Sequence, residues 1–443
     1  RSVSRGLGDV YKRQDMASYG EKEQAWVLEA GDYTVSVRRN VRQSVAEEQL
    51  PLAERKVLRY DDKTGAPIQN LFSDVNGEIT YFSRSNPEAT YPQGPMTKLT
   101  DAVRNADTEP APKTEGTVPT TGAVYETGTI TLQDVYRDES LWDAFLDQFT
   151  LDEMINLVGD CGYHTRAIDR LGIPATVDND GPASIKGKNG FFASEESIAF
   201  PTETIIACTY NDSLAQQMGV AIGKSAAELG THVWYAPAAN LHRNPLGGRN
   251  FEYYSEDPFL TGKIAAAAVQ GLQQTGVSAC PKHFACNNQE YCRNTNDSRL
   301  SERALREIYL KGFEICVKEA KPQNIMTSYN KVNGVWCHYQ YELCTAILRG
   351  EWGYEGCVMT DWWMQPAKSP EFPALRDQAY RGRAQVDVFM PGGGRVRRKK
   401  SDGTLLKVYG KPEGITLGEL QRGAKNVLRF VMASTAMERG HTD

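Results

Sequence analysis

Residues 324–363 read NIMTSYNKVNGVWCHYQYELCTAILRGEWGYEGCVMTDWW. Two short apolar runs, Asn324–Thr327 and Cys357–Thr360, bracket a longer helical pattern, and each gives way to polar residues at its end. Parallel strands need a long crossover to bring the chain back to the same edge, so run, helix, run predicts a parallel βαβ unit. The alternation extends in both directions from there. Pro174–Val177, His232–Tyr235 and Val277–Cys280 come before it and Val386–Phe389 after it. Six or more such units over about 310 residues predict an α/β fold of the (β/α)8 TIM-like barrel type, because no glycine-rich dinucleotide loop follows the first strand.

Helix signals support this reading. One helix is predicted to start at Asn211-Asp212, to bury Leu214, Met218, Ala221 and Ile222, and to stop at Gly230. Another starts with Ser301 as N-cap, with Leu300 and Leu305 as a hydrophobic staple and Leu305, Ile308 and Gly312 along one stripe. A last helical segment, Leu417 to Ala436, closes the pattern.

The first 129 residues have a different texture. Residues 1–14 lack any hydrophobic period and resemble translated adapter sequence, so they are set aside from the fold. The chain opens on Arg1, and further polypeptide is expected upstream. Ala25–Leu28 and Tyr33–Val37, around a Gly-Asp turn, predict a β-hairpin from the end of a β-sandwich spanning 15–45. Residues 46–129 are expected to form an irregular arm and linker, with a hairpin turn at Asn76-Gly77 and a Pro/Thr/Gly/Asp-rich stretch at 91–121. The barrel is expected over 130–443.

Of the 443 residues 40% are hydrophobic and 24% charged, enough for a large core. With 50 Lys and Arg against 56 Asp and Glu the net charge is −6, which disfavours a nucleic-acid partner or an anionic membrane surface. No apolar stretch reaches the length of a membrane span. The nine cysteines form no CxxC pair. Cys280, Cys286 and Cys292, six apart around His283, read as packing, and neither a metal nor a cofactor is expected. The basic run Arg395–Lys400 reads as a solvated loop.

In a parallel barrel the reacting groups sit where strands end. Those positions hold Asp178 and Asp180 in VDNDGP, Lys282 and His283 in CPKHF, Ser328, Tyr329 and Asn330 in MTSYN, Asp361 in VMTDWW and Asp387 in VDVFMPGG, with Arg249 and Glu252 in GGRNFE. Carboxylates, cations and the Trp362 and Trp363 rings converging on one mouth suit a neutral, hydroxyl-rich substrate and paired-carboxylate glycoside chemistry.

The ordered motifs GGRNFEYYSEDPFLTGKIAAAAVQGLQ, PKHFACNNQE, DSRLSERALREIYLKGFE, IMTSYNKVNG and YELCTAILRGEWGYEGCVMTDWW resemble glycoside hydrolase family 3 over about residues 130–435. The resemblance implies retaining hydrolysis of terminal β-linked sugars, with an oligosaccharide or β-glycoside as substrate. Asp361 matches the family's nucleophile. Asp180, Arg249, Lys282 and His283 match sugar-binding positions, Trp362 flanks the sugar, Tyr329 lies beside the nucleophile, Met326 walls the pocket and Glu252 orients Arg249. Lys186 stands where many relatives carry Arg, and Trp363 where they often carry a small residue.

Barrel-only relatives that cleave N-acetylglucosaminides use an Asp-Ser-His proton shuttle. This chain has Asp297-Ser298-Arg299, and arginine cannot release a proton near neutral pH. The resemblance therefore points to the two-domain mode, in its permuted subgroup with an α/β domain and a fibronectin III-like domain before the barrel. Residues 15–45 would end that fibronectin III-like domain, and the acid/base Glu would lie upstream of Arg1. A β-glucosidase is the first reading. A β-xylosidase, a degenerate sugar-binding barrel and a barrel aldolase using Lys282 as Schiff base remain open alternatives.

Overall fold

The computed structural model describes residues 16–40, 42–72, 130–186, 197–362, 364, 377–390, 405, 409–411 and 414–437. Outside them lie the opening run 1–14, the Asn76-Gly77 turn, the 91–121 stretch, Trp363 and the basic run Arg395–Lys400. Among the described residues no helix is long and apolar enough to cross a membrane.

The main body is an α/β fold around parallel strands. β6 (Asp178–Asp180), β7 (Val233–Tyr235) and β8 (Ser278–Ala279) pair in that order, and β9 (Lys282–Phe284), β11 (Asn324–Thr327) and β14 (Cys357–Met359) form a second parallel set. The Ala238–Lys282 bridge joins the two sets, and Met359 bridges in parallel to Val388. The Phe389 N–H donates to the Val158 carbonyl and the Asp178 N–H to the Tyr163 carbonyl, both at 2.9 Å. Residues 158–163 thus hydrogen-bond to both ends of the strand series, and the sheet curls back on itself. β11 has the predicted bounds. The first strand falls later than Pro174–Val177, on the acidic triplet Asp178-Asn179-Asp180, because pairing with β7 overrides the low strand propensity of those residues.

Helices pack outside this sheet. α1 (Leu132–Arg137), α2 (Trp142–Asp147) and α3 (Leu151–Gly159) lead in, and α4 (Glu203–Cys208) precedes α5 (Asp212–Glu228). α5 is capped by the Asn211 side chain as predicted, but its buried face differs from the expected one. Leu214 and Ala221 are exposed, whereas Ala215, Met218, Gly219, Ile222, Gly223 and Ala226 are buried. The reason is the approach of α6 (Pro258–Gln273): a Cβ on Gly219 would lie 2.2 Å from the Ala268 carbonyl oxygen, and one on Gly271 2.0 Å from that of Gln216. The two backbones touch, which places the glycines, not the leucine, at the contact.

Ser301 caps α7 (Glu302–Ala304), which passes through a π-helical turn at Leu305–Tyr309 into α8 (Lys311–Ala320). A π-helix, Glu342–Glu351, spans the crossover from β11 to β14, and α9 (Asp377–Arg383) and α10 (Leu417–Ala433) follow it; α10 carries a Thr416/Glu419 capping box.

The N-terminal strands correct one expectation. β2 (Ala25–Leu28) pairs antiparallel with β1 (Ser18–Gly20) and β5 (Lys56–Leu58), and not with the segment after its turn. β3 (Gly31–Asn40) pairs instead with β4 (Gln43–Leu52), which runs across the division drawn after residue 45. β2 is buried along its whole length, around a small core of Tyr19, Trp26 and Ile68, whereas β3 alternates at an exposed surface. Strands with such different burial do not share one sheet face.

Candidate active site

The carboxylates at the end of β6 and just past β14 are linked through β9, where Lys282 pairs with Asp180 and His283 lies near Asp361. Asp180 ends β6. Gly181, at φ +115°, turns the chain so that its N–H donates to Asp180 Oδ1 (2.8 Å), while the Trp234 indole N–H holds the Gly181 carbonyl at 2.8 Å. Lys282 Nζ reaches Asp180 Oδ1 at 2.5 Å, and Lys186 Nζ lies 3.9 Å from Oδ2. Burial alone would raise the Asp180 carboxyl, but Lys282 and Lys186 hold it below its ordinary value. Burial would lower the Lys282 ammonium, yet Asp180 and Glu252 raise it. A protonated lysine paired with a carboxylate is a poor nucleophile, and the 2.5 Å contact with Asp180 argues against the Schiff-base alternative.

Asp361 lies two residues past the end of β14 and is buried. Its Oδ1 accepts the Trp362 N–H at 2.7 Å, and its Oδ2 lies 3.8 Å from His283 Nε2. Burial raises this carboxyl, and Arg249, the Trp362 N–H, Lys282 and Arg293 limit the rise. His283 is held by Asn240, which accepts its backbone N–H (2.9 Å) and donates to its carbonyl (2.9 Å). Burial, reinforced by Arg249, Lys282 and Arg293, keeps the imidazole well below its usual range and therefore neutral.

Arg249 donates through Nε to Glu252. The turn carrying both is clamped: the Thr204 hydroxyl and His242 Nε2 each lie within 2.9 Å of the Asn250 and Tyr253 carbonyls. Met326 is buried in register with Lys282 and Met359. Tyr329 is buried; burial first, then the Asp361 carboxylate, raises its pKa. Trp362 packs on Tyr163 at 4.5 Å and on Tyr235 at 5.2 Å.

All eight residues singled out as site residues from the sequence thus belong to one neighbourhood. Other polar strand-end residues do not. Asp387 is tied to Arg349 (2.6 Å), the Val358 N–H (2.8 Å) and Asn426 (3.0 Å), and Ser328 and Asn330 bond the Ala285 carbonyl. Asp297 and Arg299 pair with each other at 2.7 Å. Sequence reasoning missed Arg293, whose guanidinium lies 4.8 Å over the Tyr329 ring and within electrostatic reach of Asp361 and His283. It also missed Tyr163 and Tyr235. Arg293 and Tyr163 stand in loops with no periodicity, so only folding identifies them; Tyr235 at a strand end was findable.

The site gathers buried, oppositely charged side chains, the Asp361 carboxylate among them, beside an aromatic cluster of Tyr163, Tyr235 and Trp362. The model for the glycosyl hydrolase family 3 N terminal domain matches residues 158–391, more than half of the chain. A β-glucosidase of Ruminococcus albus is 35% identical over 452 residues, covering 96% of this chain and 44% of that protein. β-Glucosidase A of Butyrivibrio fibrisolvens is 36% identical, covering 79% and 44%. Among solved structures, a β-glucosidase from Paenibacillus barengoltzii superposes with a TM-score of 0.73 at 33% identity over 96% of this chain and 47% of that one. β-Glucosidase 3B from Thermotoga neapolitana in complex with glucose gives 0.59 at 38% identity over 66% and 42%. The chain spans less than half the length of these relatives.

Proposed function

The chain belongs to glycosyl hydrolase family 3, and from that premise we propose that it supplies the glycone site and the nucleophile of a retaining β-glucosidase built on a (β/α)8-type barrel. The observation that carries the reading is Asp361: a buried carboxylate at a strand end, with one oxygen fixed by the Trp362 N–H and the other facing His283. Asp361 attacks the anomeric carbon, the glycosidic bond breaks, and the aglycone leaves with its bonding electrons as the covalent glycosyl ester forms. Water then hydrolyses the ester with overall retention. Asp180, Lys282, His283 and Arg249 bind the sugar hydroxyls, Trp362 and Met326 wall the ring, and Tyr329 holds the nucleophile. We assign the acid/base role to no residue of this chain. The fibronectin III-like origin of residues 15–45 is part of the same proposal, supported by the antiparallel strands there. The bound glucose named for the Thermotoga enzyme favours a glucoside over a xyloside.

The test uses 2,4-dinitrophenyl 2-deoxy-2-fluoro-β-glucoside, whose leaving group departs without acid assistance. A stoichiometric adduct on Asp361 by peptide mass spectrometry is expected. A folded chain labelled elsewhere, or by neither the glucoside nor the xyloside analogue, would sink the proposal.

A further inference from the structure

Beneath the sugar-facing groups runs a chain of buried hydrogen bonds that the proposed reaction does not use. Asp178 lies two residues before Asp180 on β6, hence on the same face of the strand, and is buried. The Thr165 N–H donates to Thr176 Oγ1 (2.9 Å), the Thr176 hydroxyl to Asp178 Oδ1 (2.8 Å), and the Tyr235 hydroxyl to Asp178 Oδ2 (2.8 Å). The Tyr235 ring meets Trp362 edge-on at 5.2 Å and lies 5.8 Å from Tyr163, which itself packs on Trp362. Trp362 in turn donates its backbone N–H to the Asp361 carboxylate.

We propose that Asp178 is a positioning residue of the glycone site, fixing the Trp362 ring through its hydrogen bond to Tyr235. The consequence for sugar binding rests on the β-glucosidase reading; the link from Asp178 to Trp362 does not. A buried carboxylate ordinarily pairs with a cation, whereas the side chain of Asp178 accepts from two hydroxyls, each donating to its own oxygen. That arrangement anchors Tyr235 at its tip. A tyrosine held at both its backbone and its hydroxyl presents its ring in one orientation, and that ring is what Trp362 packs against at 5.2 Å.

The anchor is sensitive to a proton. Burial lifts the Asp178 carboxyl from 3.8 to about 6, while the Thr176 and Tyr235 hydroxyls draw it down. Once protonated, the carboxyl turns donor at one oxygen and its charge-assisted bonds weaken. The other titratable groups facing this chain are Tyr235 itself and the thiols of Cys161 and Cys280, all pushed up by burial. Asp180, Asp361 and Lys282 stand above it, within electrostatic reach of Cys280. Asp180 is held low and Lys282 high, so these two keep their charge near pH 6.

Two measurements on the full chain test this. The first is the near-UV circular dichroism of Trp362, isolated by subtracting the Trp362→Phe spectrum, between pH 4.5 and 8. It is expected to change with a midpoint near 6 in the wild type and in Asp361→Asn, which removes the other buried carboxyl beside Trp362, and to lose that transition when the near-isosteric Asp178→Asn is made in the Asp361→Asn background. The second is inactivation by the dinitrophenyl fluoroglucoside, resolved into its binding constant and its limiting rate. Asp178→Asn and Tyr235→Phe should each weaken binding roughly tenfold, the worth of one hydrogen bond to a charged group, and change the limiting rate by less than about threefold. The double variant should be no worse than either single one. Additive losses, or a Trp362 transition that survives Asp178→Asn in the Asp361→Asn background, would overturn the proposal. If the wild type is not labelled at all, the β-glucosidase reading fails, and the dichroism alone decides for or against the Asp178–Tyr235–Trp362 link.

Discussion

The nucleophile role proposed for Asp361 can be tested through its burial. Because its carboxyl is raised by desolvation, with Arg249 foremost among the groups limiting the rise, labelling should fall as pH drops through a value above the ordinary 3.8, where the nucleophile takes up a proton. Asp361→Asn should cut the labelling rate by roughly 10³-fold or more, measured by intact mass against time. Neutral His283 should contribute no titration near its usual pKa, so that acid limb belongs to carboxylates. A second buried carboxyl makes a stability prediction. Glu203, the first residue of α4, is fully buried with no hydrogen-bond partner at either oxygen, and burial raises it well above its ordinary value of 4.5. A raised acid stays protonated when folded and ionises when unfolded, so stability present below pH 4.5 is lost as pH rises towards the folded value, by ~1.4 kcal/mol per pH unit. Urea melts of Glu203→Gln should therefore match the wild type near pH 4.5 and exceed it at pH 8.

At the scale of elements, the tightest joint is between α5 and α6. Gly219 and Gly271 sit where a methyl group would enter the opposite backbone at 2.2 and 2.0 Å. Backbone cannot yield as a side chain can, so Gly271→Ala must push the helices apart, despite the better helix propensity of alanine. A loss of about 1–3 kcal/mol is expected by thermal or urea unfolding. Gly230, at φ +68° with open space around its would-be Cβ, serves as the reference: Gly230→Ala is costly only through its left-handed backbone. Periodicity identified α5, its cap and its stop. It did not identify the buried face, because glycines carry no hydropathy signal and their value lies in what the neighbouring helix does.

For the molecule as a whole, the N-terminal strands are joined to the α/β body by buried charge. Arg306 donates to Glu302 and Glu351, both at 2.6 Å, and to the Gln69 carbonyl at 2.7 Å, and its guanidinium lies 5.2 Å over the Tyr19 ring. Glu302 also accepts the Leu71 and Phe72 N–H groups. Arg306→Met would leave two buried carboxylates without their cation, at a cost of about 3–5 kcal/mol. The loss should be larger at pH 8 than at pH 5, since each carboxyl is already raised by burial and ionises more fully as pH rises. Limited proteolysis should then cut within residues 16–72 sooner than in the wild type. None of this joint was legible in the sequence. The α/β class and the strand at Asn324–Thr327 were legible because strands end where apolar runs end, and the eight candidate residues, named from the family resemblance, converge on one neighbourhood. The strand pairing near the N-terminus, the glycine contact of α5 with α6, the place of Arg293 over Tyr329 and the Asp178–Tyr235–Trp362 chain were decided only by tertiary structure. Each depends on groups far apart in sequence meeting in space, and local periodicity holds no information about which face finds which partner.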